Sequence, residues 1–388
     1  MSDTLDTDTV VVGLGGMGSQ ALWHLTRRGT DTVGVEQFLP GHDQGSSHGE
    51  SRIIRTAYLE GEEYVPFVHA AWREWRALEE VSGERLLLRT GALMAGPSRS
   101  GAVAGSIAAA EHHGLPHRRL TRTEVEERFP QHRLRPGEEG VYEEEGGVLL
   151  PEAATRAAVR LAEASGARVL TGTEVTRIVP DTERPCVWVG PTRIRARRVV
   201  VTAGSWLPKL LPEPFGPALR VERRVLGWFR TTEPSSPHTT GPVFARDETD
   251  GTLWYGFPSL DGRTVKIGVH AEPPGTRRPG AQWGEPVDPM VGPREPDAAD
   301  AARLGELTAA LRGVENVPER MAACTYTMTP DEHFLIGAHR ALPGLVVAGG
   351  FSGHGYKFAS AVGAALADLA VEGGTALPVG MFDPHRPA

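Results

Sequence analysis

Thr9-Val10-Val11-Val12 runs directly into Gly13-Leu14-Gly15-Gly16-Met17-Gly18, and a single acid, Glu36, follows at the end of the next apolar run. Glycines at such a turn let the backbone approach a pyrophosphate, the N–H groups that open the following helix receive its charge, and the carboxylate accepts ribose hydroxyls. The acid argues against a 2′-phosphate. Far downstream stands Cys324, one of only two cysteines. If the nucleotide held by the glycines is FAD, a thiol beside the flavin can bond to it permanently. On composition alone the plainer reading of Cys324 is a small buried apolar residue, and two cysteines exclude a disulfide framework. Cys186 lies in a different context and reads as structural. Two cations, in Arg52-Ile53-Ile54-Arg55, follow a glycine-rich loop one helical turn apart, and at that spacing they need an anionic partner. The plainer alternative for Arg55 is a surface ion pair.

These residues must be positioned by βαβ units. A strand over 9–12, a helix over 19–28, Gly29 and a strand over 32–35 make the first, closed by Glu36. Residues 151–165 have helical spacing, and short strands follow at 166–170, 175–179, 186–189 and 197–201, which the alternation places on a sheet edge beside the nucleotide. From Gly83 to Gly146, and again from about Arg220 to Arg320, strands and amphipathic helices occur without glycine fingerprints. The expected division is therefore 1–82, 147–219 and 321–388 for nucleotide binding, with 83–146 and 220–320 forming an interleaved substrate domain. The proline-rich stretch 273–296 is expected to be an irregular surface loop. A helix should follow over 297–311 with acids in its first turn. Leu345 to Gly350 reads as a buried strand, and Phe351-Ser352-Gly353-His354-Gly355-Tyr356-Lys357-Phe358 as a glycine turn opening a helix that reaches about Ala370.

The chain has 388 residues, 40% of them hydrophobic and 23% charged, with a net charge of −8. That length allows two or three domains. The negative charge argues against nucleic-acid and anionic-membrane partners, which need clustered positive charge. Neither a signal-peptide core nor an 18-residue apolar run is present in the sequence, so a cytoplasmic protein without a membrane partner is expected. No metal site is expected.

Six motifs in order give the chain a specific likeness: the glycine loop with Glu36; Gly45-Ser46-Ser47-His48-Gly49-Glu50-Ser51-Arg52-Ile53-Ile54-Arg55; Tyr255-Gly256-Phe257-Pro258; Lys266-Ile267-Gly268-Val269-His270; Cys324 with Tyr326 and Asp331-Glu332-His333-Phe334; and the Gly350 to Lys357 turn. Over nearly its whole length it resembles the monomeric sarcosine oxidase and N-methyltryptophan oxidase family of FAD amine oxidases. The resemblance implies an α/β fold: a Rossmann-like FAD-binding domain with an interleaved α+β substrate domain built on an antiparallel sheet. It implies FAD joined covalently to Cys324 and held by Gly13, Gly15, Gly16, Met17, Gly18, Glu36, Ser51, Arg52, Gly353, His354, Gly355 and Lys357. Arg55 and Lys357 match the positions that hold the substrate carboxylate. The resemblance further implies that Arg52 packs near the flavin, that His270 lines the substrate cavity and that Tyr255 and Tyr326 close it; Lys266 resembles the lysine that favours electron transfer to O₂, and His48 and Glu60 match loop positions near the entrance.

The expected activity is oxidation of an N-methylated, secondary or cyclic amino acid to an imine, with O₂ reduced to H₂O₂. The alternatives are a dehydrogenase that passes electrons to a carrier, a biosynthetic oxidase of a larger amino-acid-like substrate, and a nucleotide-binding module without catalysis. Ser47 stands where the family often has histidine, and Ala245 and Arg246 precede the Tyr255 motif. A small residue and an extra cation there imply a substrate larger or more acidic than sarcosine. The family points to a monomer, while the residues themselves leave the oligomeric state open.

Overall fold

The computed structural model describes residues 4–181, 183–211, 219–232, 237–272, 284–340 and 342–386. Its first sheet has eight strands, ordered Val175–Val179, Cys186–Val189, Thr192–Val201, Thr4–Val12, Thr32–Val35 and Arg168–Leu170. Leu345–Gly349 pairs beside the end of Thr192–Val201, and Leu335–Ala338 pairs with Leu345–Gly349. The central pairs are parallel, with Val10 beside Val33 and Val199, and Val200 beside Val346. Continuous valine runs suit this position because both faces of a parallel sheet are covered. Val11, Val200 and Val346 turn towards the helices Gly16–Arg27, Pro151–Ala164 and Ala359–Val371, while Val10, Val12, Val199 and Val201 build a core on the opposite face.

The Thr192–Val201 strand is central, bonded on one side to Thr4–Val12 and on the other to Cys186–Val189 and Leu345–Gly349. This corrects the expected edge placement. Alternation in the flanking hairpin masked the unbroken Val199-Val200-Val201 run that marks an interior strand.

The second sheet also has eight strands: Val314–Met328, Arg220–Thr231, Thr264–Ala271, Leu253–Gly256, Val243–Asp247, Ala92–Pro97, Glu138–Glu143 and Arg118–Leu120. All its pairs are antiparallel except Val243–Asp247 with Ala92–Pro97. Helix Ala298–Leu307 packs Leu304 and Leu307 against it. Asp297 caps that helix by accepting from Ala299 and Asp300 N–H. A small third sheet joins Arg52–Ile54, Gly147–Leu149 and Leu87–Arg89. The boundary expected at 320/321 falls inside the Val314–Met328 strand, so Cys324 and Tyr326 ride on the second sheet. Of the proline-rich stretch, 273–283 lies outside the described residues, and 284–296 has no helix or strand beyond an isolated bridge from Pro286 to Glu222. Among the described residues no helix is long and apolar enough to cross a membrane.

Candidate active site

The Thr4–Val12 strand ends at Gly13, whose φ of +86° suits glycine, and helix Gly16–Arg27 starts three residues on. A Cβ on Gly18 would lie 1.8 Å from the Gly13 carbonyl oxygen, so the turn closes only around glycine there. Glu36 extends from the end of Thr32–Val35 and accepts from Leu14 N–H (2.7 Å) and Phe38 N–H (3.0 Å). Each carboxylate oxygen keeps a free lone pair. Gly13, Gly15, Gly16, Met17 and Glu36 line one end of a cavity of about 420 Å³.

The cavity continues between the two large sheets to Arg52, Arg55, Tyr255, His270, Cys324, Tyr326, Gly353, His354, Gly355 and Lys357, all of which line it. Arg55 donates to Ala57 O (2.7 Å), pairs with Glu60, and lies over the Tyr58 ring. Lys357 Nζ donates to His354 O (2.6 Å) and to Tyr58 Oη (3.4 Å). Tyr58 Oη in turn sits 2.6 Å from His354 Nδ1. Burial opposes the charge on Glu60, but Arg55, His354, Lys357 and His270 outweigh it and hold the carboxyl at about 2. Burial lowers Lys357 to about 7, with Glu60 pulling it up and Arg55 pushing it down. Burial also brings His270 to about 3 and His354 to about 4, so both rings are neutral at neutral pH.

Beside this cluster lies the thiol. Burial pushes Cys324 up, yet His48 and the Arg52 guanidinium draw it down further, to about 7. Arg52 donates to the Ser51 (2.8 Å) and Ser46 carbonyls. Lys266 Nζ donates to Gly49 O (2.7 Å) and Ser51 O (2.8 Å), and burial first, then Arg52, holds it well below an ordinary lysine. Burial raises both Tyr255 and Tyr326, which influence one another, so both phenols stay protonated. A Cβ on Gly353, which has φ +81°, would stand 2.1 Å from the Tyr326 ring.

Four expected residues do not reach the cavity wall: Gly18 packs against Gly13, Ser51 and Lys266 sit one layer behind Arg52, and His48, expected near the entrance, is buried behind Cys324. The helical-turn spacing of the two arginines is not realised. Arg52–Ile54 is a strand, so Arg52 and Arg55 leave it in different directions, and only Arg55 meets a carboxylate. Arg246 is also corrected. Strand alternation turns Ala245 to the cavity and sends Arg246 to the far face, where it is buried against Glu138 (3.0 Å) and the Trp254 ring. Ser47 serves the glycine loop, accepting from Gly16 N–H (3.2 Å). Tyr58 was not singled out in the sequence, and only its place between Arg55 and Glu60 could have drawn notice to it.

A family model described as DAO, FAD dependent oxidoreductase, matches residues 8–369. The chain belongs to the DAO family. This DAO protein is 36% identical over 382 residues to a monomeric sarcosine oxidase of Streptomyces avermitilis, covering 98% of this chain and 97% of that one. It is 34% identical over 371 residues to an N-methyl-L-tryptophan oxidase of Salmonella arizonae, covering 94% and 95%. Among solved structures, NikD, described as an unusual amino acid oxidase essential for nikkomycin biosynthesis, matches with a TM-score of 0.85 at 27% identity and 98% coverage of both chains.

The DAO protein is thus an FAD-dependent oxidoreductase, and its cavity fits the cofactor. The Gly15 position is open, since a Cβ there would meet nothing nearer than Ser47 Oγ at 3.9 Å. Glu36 offers acceptors at the same end. At the other end a thiol of lowered pKa faces the cavity beside His48, whose buried Nε2 makes no hydrogen bond of regular geometry.

Proposed function

We propose that the protein oxidises N-methylated or other secondary amino acids with O₂, releasing an imine and H₂O₂, and that it carries FAD covalently on Cys324. One observation carries this reading: Arg55, Lys357 and a neutral His270 converge on the cavity end that also receives the thiol. Gly13 to Gly18 and Glu36 would hold the dinucleotide, with Arg52, Gly353, His354 and Gly355 around the ring system. FAD supplies the two-electron acceptor that an amine C–H requires.

The chain's own residues do the rest. Arg55 offers a planar fork and Lys357 an ammonium, the two donors that suit a carboxylate. Glu60 engages Arg55 in this conformation, so the substrate carboxylate must displace or share it. Neutral His270, too weakly basic to hold a proton from the substrate, can accept a hydrogen bond at a ring nitrogen and orient the bound amine. Tyr255 and Tyr326 narrow the site against water. Lys266, held by two carbonyls behind Arg52, is an amine that burial keeps easily deprotonated, and it would stabilise negative charge developing on oxygen by taking up a proton as that charge forms.

Ala245, Leu59, Leu253 and Phe257 line the side-chain end of the cavity, and Arg246 faces elsewhere. These walls favour an apolar side chain larger than hydrogen over an acidic one. Unpaired Cys186 and Cys324 suit the cytoplasm, and likeness to proteins named monomeric sarcosine oxidase supports a monomer.

The test is acid precipitation of the purified protein followed by a peroxide-coupled screen of N-methyl amino acids. Yellow colour should stay with the pellet, and N-methylphenylalanine should outperform both sarcosine and N-methylaspartate in kcat/KM. Flavin released wholly into the supernatant would remove the covalent link. Reduced enzyme that stays reduced on mixing with air would make the protein a dehydrogenase.

A further inference from the structure

Glu143 ends the Glu138–Glu143 strand of the second sheet and does not line the cavity. Its carboxylate is buried, at 5% exposure, and accepts three main-chain hydrogen bonds: from Thr56 N–H to both oxygens (3.1 and 3.0 Å) and from Ala57 N–H (2.9 Å). Thr56 Oγ1 adds a bond to Glu145 O (3.0 Å). Arg55 reaches forward onto Ala57 O (2.7 Å), the carbonyl of the residue whose N–H is fixed by Glu143. The carboxylate therefore holds the N–H groups of the first two peptides after Arg55, and the guanidinium holds the carbonyl of the third. The grip joins the second sheet to the loop carrying Arg55 and Glu60.

Burial works against this carboxylate and pushes it up to about 7, opposed by the N–H bonds and by Arg55. An apolar side chain would fill the same space without that cost. We infer that Glu143 is a positioning residue for the proposed reaction, a tether that aims the Arg55 guanidinium at the substrate carboxylate. The inference rests on the reading of Arg55 as carboxylate anchor.

Glu143→Gln has one carboxamide oxygen to meet N–H groups that now have two, and it turns an NH₂ towards donors. Glu143→Asp keeps the charge but withdraws it, which supplies a second variant if the first folds poorly. Each is compared with Arg55→Gln as holoenzyme, using N-methylphenylalanine as substrate and 3-phenylpropionate and N-methylphenethylamine as competitive inhibitors. The KM and the 3-phenylpropionate Ki should rise about tenfold in the Glu143 variants, as a charge-assisted bond network predicts. Saturated kcat and the Ki of the carboxylate-free amine should stay within about twofold. If Arg55→Gln weakens 3-phenylpropionate and neither Glu143 variant does, the tether is overturned and the anchor stands. If all three leave it unmoved, the anchor reading falls and takes the tether with it. A parallel loss of amine and carboxylate binding would make Glu143 merely structural and would also overturn the proposal.

Discussion

Lys357 shows how one residue's surroundings set the pH range of the site. Its ammonium donates to a carbonyl and a phenol, neither of them charged, and burial outweighs Glu60 to leave it near 7. Above that pH the ligand-free site holds mostly the neutral amine. A bound carboxylate favours the ammonium, so binding at pH 8 must draw a proton from solvent, while binding at pH 6 draws almost none. The Ki of 3-phenylpropionate, which has no amine of its own to titrate, should therefore rise with pH above about 7. It should level off at high pH where Arg55 alone holds the carboxylate. Lys357→Met should raise the Ki at pH 6 and abolish the rise. Inhibition profiles of both proteins decide the matter: a flat wild-type profile, or an unchanged slope in the variant, rules out Lys357 as the titrating group.

The Thr264–Ala271 strand places Lys266, Gly268 and His270 on one face by simple alternation. Gly268 is the space between Lys266 and His270. Across the ladder it faces Tyr255, and a Cβ there would stand 2.8 Å from Tyr255 Oη and 3.0 Å from Cζ. Gly268→Ala should force that ring towards Tyr326 and into the cavity. It should raise KM several-fold and cost about 1–3 kcal/mol of stability by overpacking. Steady-state kinetics with a denaturant melt checks both, and an unchanged KM would show that the ring has somewhere else to go. Periodicity of this kind was legible in the sequence, as were the βαβ unit and the helix capped by Asp297, because local patterns dictate them. Thr4 to Asp8 was not read as strand because its polar residues hide a strand extension held by partners far away, such as Arg195 on Asp6. Glu143 is the first of three successive acids, a run that does not show which of them is buried, and its contact with Thr56 spans 87 residues. Arg246 was misplaced for a simpler reason: neighbours on a strand face opposite ways, and sequence alone does not say which faces the cavity.

At the scale of the whole chain, the site belongs to neither large sheet. Gly13 and Glu36 come from the strand ends of the first, Tyr255, His270 and Cys324 from the second, and Arg55 from the loop that leaves the small third sheet. The chain passes repeatedly between these layers, and Glu143 ties one to another. A ligand spanning the cavity should therefore stabilise the molecule as one cooperative unit. Cys324→Ser, freed of flavin, provides the test, because FAD can then be added and withdrawn as an ordinary ligand. At a hundredfold excess over Kd it should add about 2.7 kcal/mol, or a Tm rise of about 3 °C for a chain of this size. Tryptophan fluorescence reports on both halves, since Trp23 and Trp75 are buried in the core around the helices and Trp254 in that of the second sheet. One transition that moves with FAD is the expected result. Two transitions, of which only one responds, would mean that the layers fold independently. Arg55 would then be aimed by the flavin half alone, and the bonds from Glu143 would add nothing to its placement.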